Sequence, residues 1–412
     1  MIALPEPALR PPAPAQDKFR LLGHLSRITT AGRNFIPQID GLRFIAIMAV
    51  IAYHAQGVAL YHFGLVDAPG PPPSDLVSQV FESGHYGVQL FFAISGLILS
   101  LPFARQWICG EQPVSLRRYY LRRVTRIEPP YVIHLFVLLV LCAIVYRRLP
   151  AYPDLYHNPG WAGYALSHIL ASLVYANGFI FGSHPYPNIV LWSLEVEVQF
   201  YLLAPFLARM FRIPCASKRR ALFIGLILVL STTSIFAQSY RTTFSLAGNL
   251  QYFLVGFLLA DLYVTGCLAA PTRNYYWDFA LLLSCAIVVW GRTDRVMNIL
   301  LPWAIFVSGL SAFRGIASSL FLGNPWVATI GGMCYTLYLY HRLLLSVLIR
   351  LTGKLRVHVL PLDLLVQFVL MSLGIIVISA VLFALFERPF MRSDWPARFW
   401  KTARRMGKPE PA

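Results

Sequence analysis

FIPQIDGLRFIAIMAVIAYHA, residues 35–55, is the stretch on which the reading of this chain turns. An unbroken apolar run from Phe44 to Tyr53 is closed at one end by Arg43 and at the other by His54. In a helix, the step from Arg43 to His54 rises about 16 Å and completes just over three turns, so both side chains face nearly the same way. A charged side chain at the centre of a spanning helix costs about 2.5 to 3.5 kcal/mol on insertion scales. Ionisable groups kept at such a run have two readings: a functional site, or Arg43 anchoring the helix by snorkelling and His54 packing as a hydrogen-bonded core residue. Histidine is the side chain best suited to act as a base near neutral pH, and arginine suits an anion. Asp40 is read as the cap of this helix, with pairing to Arg43 as the alternative.

The rest of the chain has the same character. Of its 412 residues, 57% are hydrophobic and only 13% are charged, and the mean hydropathy is +0.59. That leaves too little charge to cover a soluble surface of this size. Ten apolar stretches, at about 42–62, 85–104, 130–148, 191–208, 221–238, 244–262, 276–291, 298–313, 326–349 and 365–386, are expected to span a membrane. The fold class is therefore all-α, a polytopic membrane protein. Residues 1–34, rich in proline and alanine, lack the order of a signal peptide and are expected to form a disordered cytoplasmic tail. Residues 35–392 form the membrane domain and 393–412 a basic cytoplasmic tail. The six cysteines show neither disulfide nor metal spacing, and no metal is expected.

The formal charge of +17 is a topology signal, and no nucleic acid partner is expected. With the N-terminus inside and ten spans, the inner segments hold 26 of the 35 lysines and arginines and the outer loops eight, with Arg342 inside a span. The C-terminus then also lies inside. The segment 162–181 decides the parity. Making it cross would put the basic runs 117–126 and 209–220 on opposite sides, so a re-entrant or surface helix in the outer loop 149–190 is expected. Aromatic and polar residues of that loop, among them Tyr152, Tyr156, His157, Tyr175, Asn177, His184 and Tyr186, either stack on a sugar or mark the interface.

Three further strings carry chemistry. In NIVLWSLEVEVQFYLLAPFL, residues 188–207, Glu195 and Glu197 lie about 200° apart around a helix and do not serve one cavity equally. Either would sit at a depth similar to His54. A Glu–His couple there would orient the imidazole as a base. In GGMCYTLYLYHRLLL, residues 331–345, His341 reaches the depth of His54 and suits a site with two roles, one group taking a proton and another steadying an oxyanion or binding acceptor hydroxyls. In SLRRYYLRRVTRIEPPY, residues 115–131, Arg118, Arg122 and Arg126 form a stripe at helical spacing, with Arg123 beside it. The group suits either a phosphorylated cofactor from the cytoplasm or anionic lipid. Pro129 and Pro130 are expected to end that segment. Gly87 and Gly96 of GHYGVQLFFAISGLILS allow close helix approach or a break, and Ser95 is a weak nucleophile candidate with no base tied to it.

In that order and spacing, IDGLRFIAIMAVIAYH, GVQLFFAISGLILS, RRVTRIEPPY, LWSLEVEVQFYLLAP, GGMCYTLYLYH and FERPF resemble the membrane-bound acyltransferase-3 family over about residues 35 to 392. That family contains O-acetyltransferases of bacterial polysaccharides and other glycans. The resemblance implies that His54 is catalytic and that Arg43 serves donor binding. Glu197 falls where the family has the glutamate after its Trp-Ser-Leu, and His341 matches the histidine after its Tyr-Ser-Leu-Tyr-Leu run. Family members often carry serine where Glu195 stands and an aromatic where Arg342 stands. The departure at Arg342 points to a different or anionic acceptor.

The resemblance implies acetyl-CoA or another acyl-CoA as donor from the cytoplasm. The expected partners are that donor, a glycan, glycolipid or other hydroxyl-bearing acceptor, and membrane lipids, in a bacterial inner membrane. The expected phosphate-binding residues are Arg43, Arg118, Arg122, Arg123 and Arg126. The expected catalytic set is His54, Glu197, Glu195 and His341. The rival readings are a transporter of a small anion or lipid-linked sugar, weakened by the missing internal repeat, and a non-catalytic membrane partner.

Overall fold

A computed structural model describes residues 36–65, 75–148, 161–236, 239–268, 273–291 and 294–392, with Leu25 and Trp395. Apart from these two residues, the expected tails lie outside the described residues, as do Tyr152, Tyr156 and His157. Every regular element among the described residues is helical. They are α1 (Pro37–His62), α2 (Leu76–Glu82), α3 (Gly87–Cys109), α4 (Leu116–Arg148), α5 (Trp161–Leu173), α6 (Asn177–Phe181), α7 (Leu191–Leu207), α8 (Ala216–Ser234), α9 (Leu246–Val264), α10 (Tyr275–Trp290), α11 (Asp294–Arg314), α12 (Ile316–Leu322), α13 (Pro325–Gly332), α14 (Cys334–Thr352) and α15 (Leu360–Leu382), joined by turns that include Tyr240–Thr243.

Six of these segments are long and apolar enough to cross a membrane, and α13 with α14 forms a seventh if the pair is one span bent by 71°. Among the described residues each of the ten expected stretches overlaps a helix, and 326–349 overlaps two. Three do not meet the requirement by themselves. α7 and α10 have 17 and 16 residues, or about 24 to 26 Å against a hydrocarbon core of about 30 Å. α8 carries Lys218, Arg219 and Arg220 in its first turns. The break between α13 and α14 follows adjacent Gly331 and Gly332, poor helix formers, in a stretch expected as one straight span.

Two local expectations need correction. Pro129 and Pro130 do not end the basic segment. α4 runs through them for 33 residues, so the arginine stripe and the apolar run belong to one helix. Prolines are tolerated in membrane helices where neighbours hold the flanking turns. Nor does Asp40 cap α1, because the helix starts earlier, with Pro37 at its first position and Asp40 already in the first turn.

The segment 162–181 is split into α5 and α6 by a turn in which Tyr175 has a left-handed φ of 55°. With 13 residues, α5 is about 20 Å long, too short to cross alone. It packs on α4, while α6 packs on α7.

The core forms where α3 crosses α9. A side chain added at Gly96 would strike the carbonyl of Phe253, and one at Gly256 would strike the carbonyl of Ala93. The two backbones therefore touch, as small residues permit between membrane helices. Phe253 stacks on Phe92 and Phe200 at ring-centroid distances of 4.8 and 3.9 Å and closes the crossing. α1 packs against α3, α13, α14 and α15, burying Ala46, Ile47, Val50, Ile51, Ala55 and Ala59. A smaller core joins α4, α5, α7 and α14 through Tyr131, Ile169, Leu194 and Leu339. Phe136, Phe279, Leu282, Leu373 and Val377 stay exposed on α4, α10 and α15, the surface a lipid solvent would cover.

Candidate active site

α1 and α14 bring two imidazoles together. The rings of His54 and His341 lie 5.1 Å apart, edge to face, and His341 Nε2 is 3.4 Å from His54 Nδ1. The backbone sets both tautomers. A carbonyl only accepts, so the nitrogen facing one must carry hydrogen. His54 Nδ1–H donates to the Val50 carbonyl one turn back, at 2.9 Å. His341 Nδ1–H donates to the Tyr338 carbonyl at 2.8 Å. His341 Nε2 is then a lone pair directed at the His54 Nδ1–H. His54 Nε2 is a second lone pair, and no described residue bonds to it. His341 is fully buried, whereas His54 is partly accessible. Such a pair can take a proton on the open nitrogen of His54 and share the resulting positive charge with the ring behind it.

The expected glutamate couple is not formed. Among the described residues, neither Glu195 nor Glu197 bonds to His54. Their angular separation on α7 sends them to different neighbours. Glu195 is buried and accepts the backbone N–H groups of Asn177 at 3.2 Å and Gly178 at 2.9 Å, holding the start of α6. Glu197 turns to α3, where Oε1 accepts the Ser95 hydroxyl at 2.5 Å. Tyr201 also interacts electrostatically with Glu197. Ser95 thus has an acidic partner that its own sequence neighbourhood did not show.

Arg43 lies at the other end of the α1 face and is largely buried. It pairs with Asp40 one turn earlier and interacts electrostatically with Glu197 and Cys334. The Arg43 end of the face therefore belongs with Glu197 and the His54 end with His341. Tyr338 fixes α14 between them. Its hydroxyl donates to the Val190 carbonyl at 2.7 Å and lies 2.5 Å from Ser193 Oγ. Glu387 accepts the Thr336 N–H and hydroxyl at 3.1 and 2.6 Å, anchoring the first turns of the same helix.

The arginines of α4 divide. Arg118 and Arg122 are exposed, and Arg126 is half-buried. Arg123 turns inward. Its guanidinium lies 3.6 Å from the centroid of Tyr119 and 5.9 Å from that of Tyr201, and it donates to the Tyr119 carbonyl at 2.8 Å. Through Tyr201 it approaches Glu197, which links the basic helix to the Arg43 end of the site. Arg342, next to His341, has no acidic partner among the described residues and interacts electrostatically with Tyr53. The Tyr53 ring lies 5.1 Å from His54 and 5.5 Å from His85, a surrounding that the sequence reading did not include.

A model of the acyltransferase domain family matches residues 36–384. The chain is similar to the peptidoglycan O-acetyltransferase OatA of Listeria monocytogenes, 28% identical over 191 residues, or 44% of this chain and 25% of that protein. It is also similar to the O-acetyltransferase OatA of Staphylococcus aureus strain NCTC 8325, 25% identical over 335 residues, or 74% of this chain and 50% of the relative. The chain thus spans half or less of the length of these two relatives. No solved structure matches it significantly.

Proposed function

The chain belongs to the acyltransferase-3 family, and from that premise we propose that it is a membrane O-acyltransferase moving an acetyl or other short acyl group from acyl-CoA to a hydroxyl of a glycan or glycolipid. The observation that carries this reading is the open Nε2 of His54, backed by His341 at 3.4 Å. His54 Nε2 takes the proton of the acceptor hydroxyl. The alkoxide attacks the thioester carbonyl, the carbon–sulfur bond breaks, and the CoA thiolate takes the proton back from His54. The positive charge that forms briefly on His54 is shared along Nδ1–H with the Val50 carbonyl and the His341 lone pair, the base-and-orienter logic with an imidazole in the place of a carboxylate.

The donor belongs at the Arg43 end. In this reading the exposed Arg118 and Arg122 meet the donor's phosphates at the cytoplasmic side, and Arg123 and Arg43, further into the bundle, take up the charge next. Glu197, which interacts electrostatically with Arg43, holds the Ser95 hydroxyl at that end. The ten-span, N-in and C-in topology and an inner-membrane location fit this direction of supply and are part of the same proposal. Peptidoglycan-type glycans are the acceptor class suggested by the OatA relatives.

The test is CoA release by purified protein with acetyl-CoA and a panel of glycan acceptors. The wild type releases CoA only when an acceptor is present. His54→Ala (H54A) should lose about 10²- to 10⁴-fold of that rate while keeping its unfolding transition. Acceptor-dependent release undiminished in folded H54A would remove the base from the mechanism.

A further inference from the structure

An open pocket of about 330 Å³ is lined by Phe181, Gly182, Ser239, Tyr240 and Arg241. Arg241 is exposed and has no ion-pair or hydrogen-bond partner among the described residues. Its guanidinium stays close to the backbone at Gly182. A Cβ there would sit 3.4 to 3.5 Å from Nε, Cζ and Nη2, and the φ of +62° is one that glycine adopts without strain. The aromatic wall is built too. Tyr240 stacks on Phe244 at 4.7 Å, and His184 closes on both, with Nδ1 3.3 Å from the Tyr240 hydroxyl. Glu195 holds the opposite wall by accepting the N–H groups at the start of α6, the helix that delivers Phe181 and Gly182.

The cavity is joined to the histidine pair through one step of α7. Trp192 sets its ring edge-on to Phe244 at 4.8 Å. The next residue, Ser193, meets the Tyr338 hydroxyl, and the Tyr338 ring lies 5.7 Å from His341. A chain of side-chain contacts thus runs from the aromatic wall through Trp192, Ser193 and Tyr338 to His341.

We propose that this cavity is an acceptor subsite for an anionic sugar, with the apolar face of a pyranose against Tyr240 and Phe181 and its carboxylate or phosphate on Arg241. It deepens the glycan acyltransferase reading and rests on it for the identity of the acceptor. The volume is in the range of small-molecule sites, and a guanidinium offers two parallel donors to a carboxylate or phosphate. In this arrangement Glu195, which holds the start of α6, is a positioning residue for the pocket wall.

Binding tests this separately from catalysis. The full chain in detergent is titrated with a uronic-acid oligosaccharide, a sugar-phosphate oligosaccharide and a neutral oligosaccharide of equal length, following tryptophan fluorescence and, independently, equilibrium dialysis. The wild type and H54A should bind at least one anionic probe at least tenfold more tightly than the neutral one. The probe preferred tells carboxylate from phosphate. Arg241→Gln should erase that preference with the neutral affinity unchanged, and Arg241→Lys should retain part of it. Equal affinity for all three probes, an undiminished preference in Arg241→Gln, or no binding of any probe by protein with a normal unfolding transition overturns the subsite. CoA release is measured in parallel, so a failure of acyl transfer is seen apart from a failure of binding.

Discussion

Two clusters of polar groups lie within the helical bundle, and they differ in what they leave unsatisfied. At Asp261, on the last turn of α9, both carboxylate oxygens are answered. Arg219 Nε pairs with one, Arg220 Nε reaches the other at 2.7 Å, and the arginines go on to the Ile213 carbonyl and the Thr265 hydroxyl at 2.6 and 2.8 Å. At His54 one ring nitrogen is answered twice and the other by no described residue. A closed network stabilises a fold, because removing any member strands the rest. A network with one lone pair left open can take up a proton from a substrate.

The largest expected effect is on the closed cluster. Asp261→Ala leaves two arginines without a counter-charge, Arg219 fully buried, and should destabilise the fold by about 3 to 5 kcal/mol. Thermal unfolding in detergent measures this. A normal transition would remove the distinction between the two clusters. His341→Ala should spare the fold more and lower turnover about 10- to 100-fold, the scale of one hydrogen bond to a charged group. Its KM for acceptor should move little. Glu197→Gln keeps an acceptor for Ser95 but drops the charge near Arg43, and a loss of about three- to tenfold is expected, about 1 kcal/mol. The smallest effect is predicted on the exposed stripe. Arg122→Gln should raise the donor KM about two- to fivefold with kcat unchanged, in keeping with a solvent-exposed charge contact.

Only the histidine side of this contrast was legible in the chain; the pairing of Asp261 with its arginine partners drew no reading there. The apolar runs located the helices, and the embedded His54 and His341, conspicuous because hydrocarbon excludes ionisable residues, were singled out before the structure brought their rings together. The opposite facing of Glu195 and Glu197 followed from helix geometry alone. The partners of those carboxylates did not. Depth along an axis is one coordinate, and whether two groups touch also depends on how the helices rotate and cross. Thus Glu197 met Ser95, on the crossing helix α3, and the lone pair facing His54 came from His341. The ring tautomers depend on the carbonyls of Val50 and Tyr338, which every residue carries and no motif advertises. The passage of α4 through Pro129 and Pro130 depends on neighbouring helices, so local propensity misjudged it, whereas the bend at Met333 follows the Gly331–Gly332 pair that the apolar count passed over.

The most direct test of the central claim is a double-mutant cycle on acceptor-dependent CoA release, with wild type, H54A, His341→Ala and the double variant compared at matched folding. If His341 acts only through the base it holds, removing it from H54A should cost nothing further, and the double variant should equal H54A within about twofold. Independent, multiplying losses would show that the two imidazoles are not one catalytic unit.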